Sequence, residues 1–220
     1  MSFDLELRVG GHTPSAAKTA YDHVKERLLD GRYAGGTLLS ENELARQLGI
    51  SRTPVRQAFV QLEAEDLLEL YPRRGALVRP ISASEADDVL EARLLIEVHC
   101  VRRVVSYGAE LASVLDRCLA EQERLLDEGG AAFTVADRAF HRTIVAANDN
   151  AILTRNYDAL RDRLQRILST AVARDPEVMA RFVAEHREIA AAIVRGESRA
   201  ADLLEAHLRR AHELARRPRP

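Results

Sequence analysis

Four side chains in the second half of the sequence have the chemistry of a metal centre. In DRAFH, Asp137 and His141 stand four residues apart, so a helix would carry them one above the other on a single face. His186 follows in EHREI and His207 in EAHL. One carboxylate and three imidazoles make a reasonable ligand set for a first-row divalent ion. Spacing alone does not bring three segments together, and an Asp/His pair at this separation is common by chance, so structural histidines remain an alternative. A metal-dependent enzyme, hydrolase-like, is a second alternative, because such an ion can activate water. Against it, there is no H-E-x-x-H and no identifiable general base beside the four residues.

A second group lies in SRTPVRQAF, residues 51–59. Arginines at i and i+4 near a helix N-terminus, here Arg52 and Arg56, can reach base edges when that end points into the major groove. Guanine presents two acceptors there that match the guanidinium fork. Thr53 and the backbone amides of the first turn suit phosphate contacts. Further on, Arg73 and Arg74 in YPRRG can enter a minor groove or hold phosphates. The alternative reading of the same arginines is a solvated helix face.

The elements that must position these groups follow from periodicity and turn chemistry. From Ser15, apolar residues at Ala17, Ala20, Val24 and Leu28 follow helical spacing and stop at DGRYAGG. In SENELARQLG, Ser40 and Glu43 form a capping box, Leu44 and Leu48 share a face, and Gly49 is a natural stop. Ser51 can cap the next helix after so short a turn that a helix-turn-helix is expected. Pro54 then falls in the first turn, where its missing N–H has no intrahelical partner. Val55, Ala58, Phe59 and Leu62 would face the preceding helix, leaving Arg52, Thr53, Arg56 and Gln57 free. LLEL and ALV around YPRRG read as a two-stranded wing, and RPISAS as a linker. The rest reads as six helices, roughly 84–106, 109–127, 131–147, 150–172, 176–195 and 198–216. The fold expected is mainly α: a winged helix-turn-helix over 15–80, then an all-helical antiparallel bundle over 84–216. The first fourteen residues read as a flexible arm and RRPRP as a frayed tail.

Composition is that of a globular chain: 220 residues, 46% hydrophobic, 30% charged, no Trp and 5% aromatic. No apolar run is long enough to span a bilayer, and the start MSFDLELRVGG lacks a basic n-region and an apolar h-region, so no membrane partner and a cytoplasmic location are expected. Cys100 and Cys118 lack zinc-ligand spacing and read as reduced, buried small hydrophobes. The formal net charge is −2. Residues 1–80 carry 11 Lys+Arg against 11 Asp+Glu, so any nucleic-acid site must come from local placement of arginines and not from a bulk positive field.

The stretch GRYAGGTLLSENELARQLGISRTPVRQA, continuing to RRGALV, resembles the winged helix-turn-helix head of the GntR family of bacterial transcription regulators. The likeness covers roughly Ala16 to Val78, and S-R-T-P-V-R is its specific core. It implies DNA contacts by Ser51, Arg52, Thr53 and Arg56 on the recognition helix and by Arg73, Arg74 and Gly75 on the wing. Two positions depart from the family pattern. Asn42 stands where many members carry a basic DNA-contacting residue, which bears on operator choice. Asp66 replaces the glycine that usually precedes the wing.

The helical half, with D-x-x-x-H and two later histidines, is similar to the FCD effector-binding domain of the FadR subgroup. That resemblance implies that Asp137, His141, His186 and His207 bind a divalent metal, zinc foremost, with nickel or manganese as alternatives. It also implies that the open metal positions take water or a small carboxylic acid, and that Arg93, in LEARLLIE, pairs with that carboxylate. Six helices in this half lean toward the VanR-like variant. The reading is a ligand-responsive regulator, a repressor by family habit, acting as a homodimer on a roughly palindromic double-stranded operator. A DNA-binding dimer with no metal or effector is the remaining alternative. His12, His23 and His212 receive no role, and His99 would at most line the pocket.

Overall fold

The computed structural model describes residues 15–128, 130–172 and 175–216, so the expected arm and most of the tail lie outside them. The chain forms two units. One comprises residues up to Glu26 with Gly36–Arg79, the other Arg27–Gly35 with Pro80 onward.

In the N-terminal unit, α1 (Ala16–Leu29) precedes the helix-turn-helix pair α2 (Glu41–Leu48) and α3 (Arg52–Ala64). Ser40 starts α2 by accepting the Glu43 amide at 3.4 Å. Gly49 ends it in the left-handed region, φ 66°, which glycine enters without a Cβ penalty. Three residues later α3 begins, and Pro54 is its third residue, as the sequence suggests. Val55, Ala58, Phe59 and Leu62 are all buried, each burial stabilising by about 1.5–3 kcal/mol for the larger side chains. Arg52, Thr53, Arg56 and Gln57 are exposed on the opposite side.

The wing is β2 (Leu68–Tyr71) against β3 (Gly75–Val78), antiparallel, with Tyr71 opposite Gly75. Sequence periodicity does not reveal a third strand, β1 (Leu38–Leu39), which pairs with the other edge of β3 to give the order β1-β3-β2. Two residues are too few to display alternation. That strand explains Gly75, whose φ is 114°: a Cβ there would lie 2.0 Å from the carbonyl oxygen of Leu39. Asp66, at φ 60°, occupies the left-handed position between α3 and the wing. Aspartate tolerates that region better than most side chains. The chain therefore turns into β2 without the family's glycine, and Asp66 also accepts a hydrogen bond from Arg79 at 2.5 Å.

The regular elements of the C-terminal unit are all helices among its described residues. α4 (Ala83–Arg93) is capped by Ser82 and runs through a π-helical turn, Leu94–Val98, into α5 (His99–Val104). A 3₁₀ segment, Val105–Leu111, leads to α6 (Ala112–Arg124), and another, Leu125–Asp127, precedes α7 (Gly130–Ala146). Asn150 caps α8 (Ala151–Ala159), and α9 (Arg161–Val172) follows. Asp175 caps α10 (Pro176–Val194), with Pro176 at its first position, and α11 (Ala200–Arg216) closes the unit.

Two boundaries differ from expectation. The segment 84–106 carries the π turn, and the segment 150–172 divides at Leu160, so the helix count that leans toward the VanR-like variant does not hold. No Gly, Pro or Asn marks Leu160, which is why turn chemistry misses it. α7 packs against α6, α8 and α9, while α10 packs against α6 and α11. The core includes Phe140, Ile144, Ile189, Ile193 and Leu204, with a neighbouring cluster around Phe133 and Phe182.

Gly108 marks the tightest approach in this unit. A Cβ there would fall 1.9 Å from the carbonyl oxygen of Ile193 on α10. Gly108→Ala is expected to cost about 1–3 kcal/mol through forced backbone displacement. Chemical denaturation would measure it, and an unchanged midpoint would contradict this packing.

Candidate metal centre and nucleic-acid face

Asp137 and His141 on α7, His186 on α10 and His207 on α11 converge. All four are buried, and one ligand atom from each lies within 4.8 Å of every other. Tertiary packing thus supplies the proximity that spacing leaves open. The π turn and the helices α6 and α10 then fix how each ring is presented. His141 Nδ1 lies 2.7 Å from Glu97 Oε2, His186 Nδ1 lies 2.8 Å from Gln122 Oε1, and His207 Nδ1 lies 2.7 Å from Glu185 Oε2. Gln122 is itself oriented, since its amide nitrogen donates to the Ala136 carbonyl at 3.3 Å. Its oxygen must therefore accept from His186. Carboxylates also accept, so each of the three imidazoles carries its proton on Nδ1 and turns an Nε2 lone pair inward.

That arrangement leaves acceptors facing acceptors. His186 Nε2 and His207 Nε2 are 3.1 Å apart, and Asp137 Oδ1 is 3.6 Å from His186 Nε2. Among the described residues, neither Asp137 Oδ1 nor His141 Nε2 has a hydrogen-bond partner, although both are buried. Protonating an imidazole to relieve the clash is opposed. Burial pushes His186 well below its ordinary value, and the neighbouring His207 and His141 push it further. Burial likewise lowers His207, partly offset by Glu185. A divalent ion would resolve the conflict. Nitrogens about 2.0–2.1 Å from one ion, at tetrahedral or octahedral angles, stand about 2.9–3.4 Å apart. The donor set fits a first-row ion, and Phe140 and Phe182 wall it with rings 4.4 and 5.0 Å from His186 and His207.

Arg93 is buried beside this cluster, and one of its nitrogens is already engaged. Its Nε donates to Glu97 Oε1 at 2.6 Å. Burial alone would raise the Glu97 carboxyl; Arg93 and His141 instead hold it at about 2. Tyr157 is also buried, with no hydrogen-bond partner for its hydroxyl among the described residues. Its ionisation is suppressed by burial and then by Glu97, and is sensitive to Arg93 and Asp137. His99 is exposed and does not line the centre. His212, given no role above, is largely covered and lies 2.8 Å from an Asp87 oxygen.

In the N-terminal unit, α3 presents its N-terminus to solvent. Ser51 has extended N-cap geometry, yet its hydroxyl makes no capping bond. Pro54 at N3 removes one of the two amides, those of N2 and N3, that a capping serine can bond. Arg52 and Glu41 form an exposed 3.3 Å pair, while Arg56 and Asn42 are exposed. On the wing, the Arg74 amide donates to Tyr71 O at 3.0 Å, and Arg73 sits at φ 63°. With Pro72 second and a left-handed residue third, this is a type II turn, in which Gly or Asn is usual and arginine is strained.

The profile of bacterial regulatory proteins of the gntR family matches residues 16–78, and that of the FCD domain matches 88–210. The chain belongs to the GntR family. This GntR regulator is 30% identical to the "Probable D-xylose utilization operon transcriptional repressor" of Paenarthrobacter nicotinovorans, over 86% of this chain and 83% of that one. It is 28% identical to the gluconate operon transcriptional repressor of Bacillus subtilis, over 70% of this chain and 63% of that one. Its fold matches E. coli McbR/YncC with a TM-score of 0.70 at 20% identity, covering 92% and 98% of the two chains. The relatives from Paenarthrobacter nicotinovorans and Bacillus subtilis are named as transcriptional repressors and the family is one of regulatory proteins, so the enzyme alternative falls. GntR regulators bind operator DNA and typically dimerise.

Spacing and turn chemistry do not single out Glu97, Gln122, Glu185 or Tyr157. An acid four residues after Arg93 reads as an ordinary surface ion pair, and nothing in the sequence marks Gln122 as a hydrogen-bond acceptor for a ring 64 residues away. The available signal was LLIEV, a charge inside an apolar run. In metal-free protein at neutral pH, ¹⁵N NMR of the imidazoles is expected to find His141, His186 and His207 as Nδ1–H tautomers. An Nε2–H pattern at His186 would contradict the Gln122 assignment.

Proposed function

We propose that this GntR regulator is a metal-dependent, acid-responsive repressor that binds its operator as a homodimer in the cytoplasm. Residues 15–80 form the DNA-reading domain, and residues 84–216 hold the metal and the effector and dimerise. The observation that carries the proposal is the buried convergence of Asp137, His141, His186 and His207 with their inward acceptors lacking a counter-charge. Zinc is the leading ion, and nickel or manganese are compatible with the same donors. Bound there, a divalent ion offers its open positions to a carboxylate. Arg93 and the unpartnered Tyr157 hydroxyl are the buried groups that would orient a small carboxylic acid beside it. The relative named for the gluconate operon favours a sugar acid, while the one named for D-xylose utilization points to carbon-source control without an acid.

On the DNA side, Arg52 and Arg56 reach guanine edges in the major groove, and Arg52 exchanges Glu41 for the operator. Ser51, Thr53 and the first amides of α3 hold phosphates. Arg73 and Arg74, with Gly75 permitting the tight wing, contact the flanking groove. Asn42 faces DNA in place of a basic side chain. Two heads in a homodimer match two half-sites of a roughly palindromic operator. An acid that binds the two head arrangements with different affinity shifts their populations.

The metal arm is tested by thermal denaturation of chelator-treated protein. Zinc at a hundred times its Kd is expected to stabilise by about 2.7 kcal/mol, and His186→Ala to abolish most of that gain. No zinc-dependent shift would favour the metal-free dimer instead. With zinc present, a further shift on adding gluconate or another small acid identifies the effector class.

The DNA arm uses a duplex selected by the wild-type protein from a random pool. Arg52→Ala and Arg56→Ala are each expected to cost about 1–3 kcal/mol of binding while zinc content stays unchanged. Arg73→Gly is expected to weaken the same complex without lowering the melting temperature, because it relieves a left-handed arginine. Equal gel-shift affinities for all three variants would overturn these contacts.

A further inference from the structure

We infer that Glu97 is the positioning residue that holds His141 for the metal and ties it to Arg93, so that the acid subsite and the metal centre share one buried carboxylate. The inference rests on the metal reading above.

Glu97 spans two partners with its two oxygens. Oε1 accepts from Arg93 Nε at 2.6 Å, and Oε2 accepts from His141 Nδ1 at 2.7 Å. All three side chains are buried, so both bonds form away from competing water. Neither partner alone accounts for the placement. A structural ion pair with Arg93 would need only one oxygen, and an exposed helix face would serve it. Here the charge is turned inward while an apolar neighbour is turned out: Glu97 is 1% exposed and Leu95 is 68% exposed. Both lie in the π turn Leu94–Val98, a local departure from α geometry that re-aims the side chains between α4 and α5.

The consequence for His141 is tautomeric as well as orientational. Accepting from Nδ1 puts the proton there and leaves the Nε2 lone pair facing Asp137, His186 and His207. The carboxylate remains charged in this buried place because the Arg93 guanidinium neutralises it. A ligand carboxylate drawing on Arg93 would therefore change the field that Glu97 exerts on His141. Glu185 performs the same service for His207, but its other partner, Arg210, lies on the part-exposed side. Of the three Nδ1 acceptors, only Glu97 is bonded to Arg93 among the described residues.

The test uses the full chain, metal-free, with Glu97→Asp and Glu97→Leu. Aspartate keeps the charge opposite Arg93 and is too short to reach His141 as well; leucine removes both bonds. Imidazole ¹⁵N NMR and zinc competition against a chromophoric chelator are read on each, with melting temperature as the check on folding. Glu97→Asp is expected to convert His141 to a tautomer mixture, leave His186 and His207 as Nδ1–H, and weaken zinc binding by about 10–100-fold. Glu97→Leu is expected to do the same or more; should it not fold, Glu97→Asp decides. A His141 that stays wholly Nδ1–H in Glu97→Asp overturns the inference, as does a zinc affinity within twofold of wild type. Wild-type protein that fails to bind zinc would overturn the metal reading itself, and is a separate outcome.

Discussion

Four buried acceptor atoms pointing at one another are the constraint around which the helical unit is organised. Burying unpaired lone pairs and a carboxylate oxygen costs several kcal/mol unless something positive compensates them. The chain does not relieve this by moving the histidines apart or by protonating them. Instead it anchors each ring from behind, through Glu97, Gln122 and Glu185, so that the acceptors cannot turn away. Those anchors come from the π turn, α6 and α10, and the ligands from α7, α10 and α11. Four of the unit's α-helices and the π turn are thereby committed to a single point.

The head is organised by a different economy of backbone groups. Proline in the first turn of α3 removes an amide that needed no helical partner, and with it one of the two donors that Ser51 could have capped. The serine hydroxyl and the remaining amides therefore stay available at the positive end of the helix dipole. Left-handed residues at Asp66 and Arg73 place the wing and its tip where glycine would be conformationally easier. At the wing tip the left-handed position carries the positive charge of Arg73, whereas the negative charge of Asp66 is met by Arg79.

Legibility varied by the range of the interaction. The capping box at Ser40, the stop at Gly49, the first-turn Pro54 and the buried Val55/Phe59/Leu62 stripe depend on neighbours within a few residues, and each is readable from spacing. The wing hairpin is readable for the same reason. β1 is not, because its two residues pair with a strand 37 positions away. The break at Leu160 has no turn residue to announce it, and the π turn has no sequence signature at all. Arg93 was identified by its resemblance to a family position, but its bond to Glu97 was not, since an i,i+4 pair says nothing about which way it faces.

The sequence by itself determined the local grammar of this protein: which segments are helical, where the recognition helix begins, which arginines it exposes, and which four residues have metal-ligand chemistry. Helical periodicity, capping and turn preference are short-range, so they survive in a single sequence. Only the tertiary structure decided that Asp137, His141, His186 and His207 meet, which nitrogen of each ring faces inward, and that Glu97 lies between Arg93 and His141. Those outcomes depend on how helices far apart in the chain pack and exclude water, and no local pattern encodes the register between them.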